Sequence, residues 1–412
     1  MSHDAIQSCW VCSAPKLNFL RWPIAARACS NSLISGEFLR PGNVRRHVTG
    51  NAVALMVWLF LSVVPAFRMP TATAADELVT FYPTYGFQQD GHWVIPLRAW
   101  VHERRGLAES AVTRIALELD ISDPMELIRL RSRIRDFTAD SESGEAVEFQ
   151  FDEDPRNESF RIRDASGELP RSDLNGLIVG TVEISESRAA ELIQSQGALG
   201  NRLKFHATSR EHSGSGSVWL IAPQGLSVIS DIDDTVKITE IPAGAPTVMK
   251  NTFLREFQVV PGMAEMYREL QPASFHYVSG GPWQLFGPIA EFLHGESAGF
   301  PEGTWHMKSV RTNLLAVRSW QDLTALITDE NLTFEQKTEQ ITQIIRRFPN
   351  RTFILVGDSG EKDPEIYRAI LQEFPQQIQE VVIRDVVHAR ENQPDRLVGM
   401  RVIAVPAVKT SF

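Results

Sequence analysis

Val228-Ile-Ser-Asp-Ile-Asp-Asp-Thr-Val-Lys-Ile-Thr239 sets Asp231, Asp233, Asp234 and Thr235 directly behind a short apolar run. Residues 226–230 read as a buried strand, and the acids crowd its carboxyl end. Taken alone, the string is equally a turn with solvated acids. The remainder of the chain decides between the two.

From residue 226 onward, apolar runs alternate with amphipathic helices. Strands are expected at 275–278, 352–356 and 381–383, and helices near 263–270, 283–293, 334–348 and 364–374. Near-continuous apolar strands in βαβα order predict a parallel sheet covered on both faces. The strands end in Ser279-Gly280-Gly281-Pro282-Trp283, in Gly357-Asp358-Ser359-Gly360-Glu361-Lys362-Asp363 and in Arg384-Asp385. Ligands of open α/β sheets bind beyond such ends. Carboxylates converging there repel one another unless a cation intervenes, and an oxygen-ligated Mg²⁺ is the natural choice.

Lys337 adds to this. Phe334, Ile341, Ile344, Ile345 and Phe348 share one helix face, and Lys337 falls on it. A lysine aimed into apolar surroundings needs a charged partner, which Asp231 would supply. Lys308 is the rival, in a stretch the pattern does not assign.

The ordered motifs resemble the haloacid dehalogenase superfamily of phosphotransferases. Residues 228–239, 276–286 (HYVSGGPWQLF) and 353–367 (FILVGDSGEKDPEIY) are similar to the catalytic domain of actin-patch type phosphatidate phosphatases. Phe137-Thr-Ala-Asp140 resembles the accessory region of that family. The resemblance implies a haloacid-dehalogenase-like Rossmannoid sheet with a minimal cap. It also implies a Mg²⁺-dependent phosphatase acting on phosphatidate or a related lipid phosphate through an aspartyl-phosphate.

Asp231 would then be the nucleophile and Asp233 the acid/base. Asp231 and Asp358 would hold Mg²⁺ through carboxylates, and Asp233 through its carbonyl. Thr235, Ser279 and the backbone N–H groups near Gly280 would hold phosphoryl oxygens, beside a helix opening at Pro282. Asp363 is a helix cap that also supports the metal, or a cap only. Asp234 has no catalytic role in this reading. Trp283 reads as packing, and Arg384 and Asp385 as braces of the sheet end.

Residues 78–222 read mostly as short strands, at 79–82, 92–97, 146–151, 159–163, 177–184, 203–207 and 218–221. Helical stretches at 108–119 and 125–136 interrupt them, so a β-sandwich-like domain with a helical insertion is expected. His206 and His212 read as ordinary strand or loop residues. The chain thus divides into an extension at 1–75, a β-rich domain at 76–224 and an α/β domain at 225–412.

The composition, 43% hydrophobic and 22% charged over 412 residues, suits a folded chain and excludes a mostly disordered one. Residues beyond 75 carry 34 basic and 49 acidic residues, a net of −15, which argues against broad nucleic-acid binding. The three cysteines, Cys9, Cys12 and Cys29, all lie in the N-terminal extension. There, Arg45-Arg46, the apolar run 52–66 and Ala72-Thr-Ala74 form a secretory-signal pattern. Cleavage near Ala74 would leave an exported, periplasmic or secreted protein without cysteine. The alternative is an anchor formed by 52–66. The stretch 1–40 fits no signal and reads as a gene-model artefact.

Neither interval between the motifs has room for a cap of ordinary domain size. An open, wet site is therefore expected, with peripheral membrane contact through Trp305-His306-Met307-Lys308. The alternatives are a soluble phosphomonoesterase and a binding protein with a vestigial catalytic domain.

Overall fold

A computed structural model describes residues 77–103, 107–309, 319–327 and 330–404. The cysteines, the 52–66 run and the Ala74 cleavage position lie outside them.

The strand-rich half contains β1 (Glu77–Phe81), β2 (Thr84–Gln89), β3 (His92–Glu103), β4 (Asp140–Ser141), β5 (Phe149–Phe151), β6 (Leu177–Ser185), β7 (Arg202–Ala207), β8 (His212–Ser213) and β9 (Ser215–Leu220). They follow the path β5-β7-β9-β2-β3-β1-β8, and β4 and β6 also pair with β3. Alternate residues such as Phe81, Phe149 and Phe205 meet in one core, with Phe149 and Phe205 ring centroids 4.8 Å apart. The stretch 159–163 makes only isolated bridges, at Phe160 and Arg163. The sequence pattern missed β2 because Thr84, Tyr85, Gly86 and Phe87 are all buried and show no period of two. Gly86 has no side chain because a Cβ there would lie 2.6 Å from Leu220 Cδ2. The helix Glu186–Gln196 was also missed. Ser185 caps it, accepting from Arg188 N.

The helices Leu107–Glu118 and Pro124–Ile134 interrupt the strands as expected. Their apolar faces, however, pack on the other half of the molecule. Val112, Ile115, Leu130 and Ile134 share a core with Val228, Met249 and Phe253. Arg133 fixes the contact: its Nη1 donates to Thr252 O at 3.0 Å and Arg255 O at 2.6 Å, and its guanidinium lies 3.5 Å from the Phe257 ring centroid.

The second half contains β10 (Gly225–Ser230), β11 (Ser274–Pro282), β12 (Thr304–Lys308), β13 (Arg351–Asp358), β14 (Ile378–Asp385) and β15 (Arg401–Ala404). They form one sheet in the order β12-β11-β10-β13-β14-β15, and every pair is parallel. Successive residues face opposite layers. Val228, Tyr277, Ile354 and Val382 enter one core, and Ile229, Val278, Leu355 and Ile383 the other. This explains the unbroken apolar runs. The chain leaves β10 toward β11 and later returns on its other side at β13. The strand order therefore reverses between β10 and β13, the place where such sheets open a crevice.

One expectation fails here. Trp305, Met307 and Lys308 belong to β12 and are 3%, 0% and 1% exposed, so this segment is no membrane patch. One edge of β12 pairs with β11, and on the other Trp305 N donates to Pro83 O at 3.0 Å.

Candidate active site

The Asp-x-Asp motif begins where β10 ends. Asp231 N donates to Val356 O at 2.9 Å, extending the β10–β13 ladder by one residue. That bond sets Asp231 beside Asp358 at the end of β13. Lys337, on the helix Glu330–Arg347, reaches the same point. Its Nζ donates to Asp231 Oδ1 at 2.8 Å and lies 2.5 Å from Asp363 Oδ1 and 3.8 Å from Glu361 Oε2. Lys308, the rival, lies 3.5 Å from Thr333 Oγ1 instead.

Asp358 Oδ1 accepts from Gly360 N at 2.6 Å and Glu361 N at 3.3 Å. Asp363 Oδ2 accepts from Asp358 N at 3.2 Å. This approach requires glycine at 357, where a Cβ would sit 2.2 Å from Asp363 Oδ2. Asp363 is therefore not the helix cap. Lys362 holds that position, and the Asp363 carboxylate turns back toward the strand ends.

Asp231, Asp358 and Asp363 are completely buried, and one oxygen from each lies within 4.8 Å of the other two. Asp231 Oδ2 and Asp358 Oδ2 make no hydrogen bond among the described residues. Buried carboxylate oxygens left in this state need a proton or a cation. Burial, together with neighbouring carboxylates, pushes both Asp231 and Asp358 well above the usual range. Glu361 is raised to about 7 by the same causes. Burial would discharge Lys337, but Asp231, Asp363 and Glu361 outweigh it and hold the ammonium charged. Several acids thus face one lysine, and an all-oxygen set of this kind fits a hard divalent cation.

Asp233 has different surroundings. Lys237 Nζ lies 2.7 Å from its Oδ1, and Thr239 Oγ1 donates to that oxygen at 2.5 Å. Burial would raise its pKa, but the Lys237 charge and these hydrogen bonds hold it below the usual range. Its other oxygen accepts from Ser279 Oγ at 3.4 Å. The carboxylate faces a cleft whose far walls are apolar, among them Ile241, Val248, Leu285, Ile289 and Ile327.

Thr235 is buried, and its hydroxyl has no partner among the described residues. Ser279 accepts from Gly281 N at 2.9 Å, so that N–H is already engaged. Gly280 allows close approach of the Lys337 helix, since a Cβ there would lie 2.5 Å from Thr333 Cγ2. Asp234 has a structural task. At φ 54° its carboxylate accepts from Thr239 N, Glu240 N and Ile241 N at 2.8, 2.8 and 2.6 Å. That folds the chain so that Lys237 and Thr239 meet Asp233. Arg384 Nη1 donates to Asp234 O, and Asp385 accepts from Ser359 Oγ and Ala389 N. Trp283 packs on Tyr82 with ring centroids 4.2 Å apart.

The structure therefore brings Asp231, Asp233, Thr235, Ser279, Lys337, Asp358 and Asp363 to one end of the sheet. The site is less open than its short intervals imply, because the metal-competent acids are fully buried. Lys237, Thr239 and Glu361 are additions. The signal for Lys237 was present, a lone cation between Val236 and Ile238 four residues after Asp233.

The site is thus an acid cluster with a buried lysine at the switch point of a parallel α/β sheet. Residues 226–385 match the family model described as phosphatidate phosphatase APP1, catalytic domain. That match covers well under half of the 412 residues. The chain is 32% identical over 179 residues to phosphatidate phosphatase APP1 of Saccharomyces cerevisiae, covering 42% of this chain and 28% of that protein. It is 30% identical over 169 residues to an uncharacterized protein of Schizosaccharomyces pombe, covering 40% of this chain and 26% of that one. The chain thus spans under a third of the length of these relatives.

Proposed function

We propose that the chain is an exported, Mg²⁺-dependent phosphatase of haloacid-dehalogenase type. Its substrate is a phosphate monoester of an apolar alcohol, with phosphatidate the first choice. The observation that carries this reading is the division of labour between the paired acids. Asp231 is buried against Lys337, while Asp233 faces an apolar cleft. The yeast relative's name supports the lipid substrate.

In this reading Asp231 attacks phosphorus, and the P–O bond to the leaving alcohol breaks as the aspartyl-phosphate forms. The incoming phosphate dianion raises the Asp233 pKa so that it takes up a proton; Asp233 passes that proton to the departing alkoxide, then takes one from the water that hydrolyses the intermediate. Lys337 orients Asp231 and offsets phosphoryl charge. Thr235, whose hydroxyl has no partner among the described residues, binds a phosphoryl oxygen with Ser279 and the backbone at Gly280. Asp231, Asp358 and Asp363, with the Asp233 carbonyl, would hold Mg²⁺. When bound, the ion supplies the positive charge that lets carboxylates and a phosphate dianion share one site. The apolar cleft takes the alcohol side.

The domain limits 1–75, 76–224 and 225–412 and export after cleavage near Ala74 belong to the same proposal. Among the described residues no helix is long and apolar enough to cross a membrane. Mass spectrometry of exported protein should find a chain starting at Ala75 or Asp76. Recovery of 52–66 in membranes would favour the anchor. The substrate test is a comparison of phosphatidate in mixed micelles with glycerol phosphate. A preference of at least about tenfold in kcat/KM, about 1.4 kcal/mol, is expected. Equal efficiency would favour a soluble phosphomonoesterase.

A further inference from the structure

A second group of ligating side chains lies in the strand-rich half, on elements that contribute nothing to the site above. Glu77 of β1 and His212 of β8 are register partners on adjacent parallel strands. Glu145 joins them from the stretch after β4. Its backbone is fixed by Ser172, whose Oγ accepts from Glu145 N at 2.8 Å and whose N donates to Glu145 O at 2.9 Å. His212 Nε2 lies 2.9 Å from Glu77 Oε2 and 3.7 Å from Glu145 Oε2. One ligand atom from each residue falls within 4.8 Å of the others.

Two observations distinguish this group from an acidic patch. His212 is only 7% exposed, and its Nδ1 is held 2.8 Å from Ser209 Oγ. An imidazole anchored through one nitrogen presents the other in a fixed direction, as metal-binding histidines do. In addition, His212 Nε2 and Glu77 Oε2 are both buried and form no hydrogen bond among the described residues, although they are within reach of each other. The atoms converge on a shared point and are not aligned along a donor–acceptor axis.

We infer that Glu77, Glu145 and His212 form a second metal site, of the type that takes Zn²⁺. One imidazole nitrogen and two carboxylate oxygens suit zinc, with water as the fourth ligand, whereas Mg²⁺ prefers oxygen alone. The site ties β1 to the two-residue β8 and to the stretch carrying Glu145. Its role is structural. On this inference His212 would be a ligand and not an ordinary strand or loop residue.

The test is calorimetric titration of the full chain with Zn²⁺ in millimolar Mg²⁺. One equivalent should bind at this site, and His212→Ala and Glu145→Gln should each weaken that binding at least tenfold. Asp358→Asn should leave it unchanged. Zn²⁺ should raise Tm by at least about 2 °C in the wild type and not in Glu145→Gln. X-ray absorption of the bound zinc should show nitrogen and oxygen without sulfur. Glu145 is partly exposed, so Glu145→Gln decides the matter if His212→Ala does not fold. Unchanged binding in the folded variants, no binding at all, or sulfur ligands from Cys9, Cys12 or Cys29 would each overturn the inference. Loss of binding in Asp358→Asn would place the zinc at the catalytic acids instead.

Discussion

Lys337 donates to Asp231 at 2.8 Å across a sequence separation of 106 residues, and both side chains are almost completely buried. Removing one partner of a buried pair costs about 3–5 kcal/mol. Lys337 also faces Asp363 and Glu361, so its loss leaves several acids without a cation. Lys337→Met should therefore be inactive and markedly less stable in urea, and a divalent cation should recover part of the stability. A variant as stable as wild type in chelator would refute this role for the lysine.

Asp231→Asn should abolish turnover while preserving the fold. The amide is nearly isosteric but a poor nucleophile, and phosphate monoesters hydrolyse extremely slowly unaided. Residual activity above roughly a tenth of wild type would exclude Asp231 as the nucleophile.

Lys237→Met tests the support of Asp233. The ammonium lies 2.7 Å from the Asp233 carboxylate and is 1% exposed. Its loss should lower kcat by roughly 10²-fold, within the range of acid–base catalysis, and change KM much less. Lys237→Arg should not restore activity, because a planar guanidinium does not reproduce the compact ammonium charge held 2.7 Å from the Asp233 carboxylate. A change confined to KM would point to substrate binding instead.

Glu361 makes the metal-free protein sensitive to pH. Its pKa is pushed up to about 7 from 4.5, so the native state holds a proton that the unfolded chain has released. This group's contribution to stability therefore falls as pH rises between 4.5 and about 7. In chelator, Glu361→Gln should be more stable than wild type at pH 8, by up to about 3 kcal/mol, and the gap should close near pH 5. Urea unfolding at the two pH values measures it, and an equal gap at both would show that Glu361 is not shifted.

Chelation should stop turnover reversibly, with Mg²⁺ restoring it. The reason is the packing of Asp231, Asp358 and Asp363 within 4.8 Å. Such a cluster repels a phosphate dianion unless a cation neutralises it. Full activity in excess chelator would remove the metal from the proposal.

The parallel sheet was legible in the sequence because its strands are buried on both faces. Burial on both sides produces near-continuous apolar runs at 226–230, 352–356 and 381–383, and the acids gather where the strands end. Asp231, Asp233, Ser279 and Asp358 could thus be assigned to strand ends, and Lys337 to the inward face of its helix. The strand holding Trp305 and Lys308 was not legible. Five residues with a buried lysine and a histidine do not announce a strand, and its outer edge is met by Pro83 O from the other half.

Local pattern could not reach relationships set by distant chain segments. Nothing near residues 107–134 says that these helices pack on Met249 and Phe253, since an amphipathic face specifies burial but not its partner. The role of Asp363 likewise depends on Gly357 leaving space for its carboxylate. The sequence by itself determined the chemistry available at the strand ends. Only the tertiary structure decided which acid meets Lys337 and which meets Lys237, because charge pairing over a few ångströms depends on where the chain returns, and that is fixed by packing.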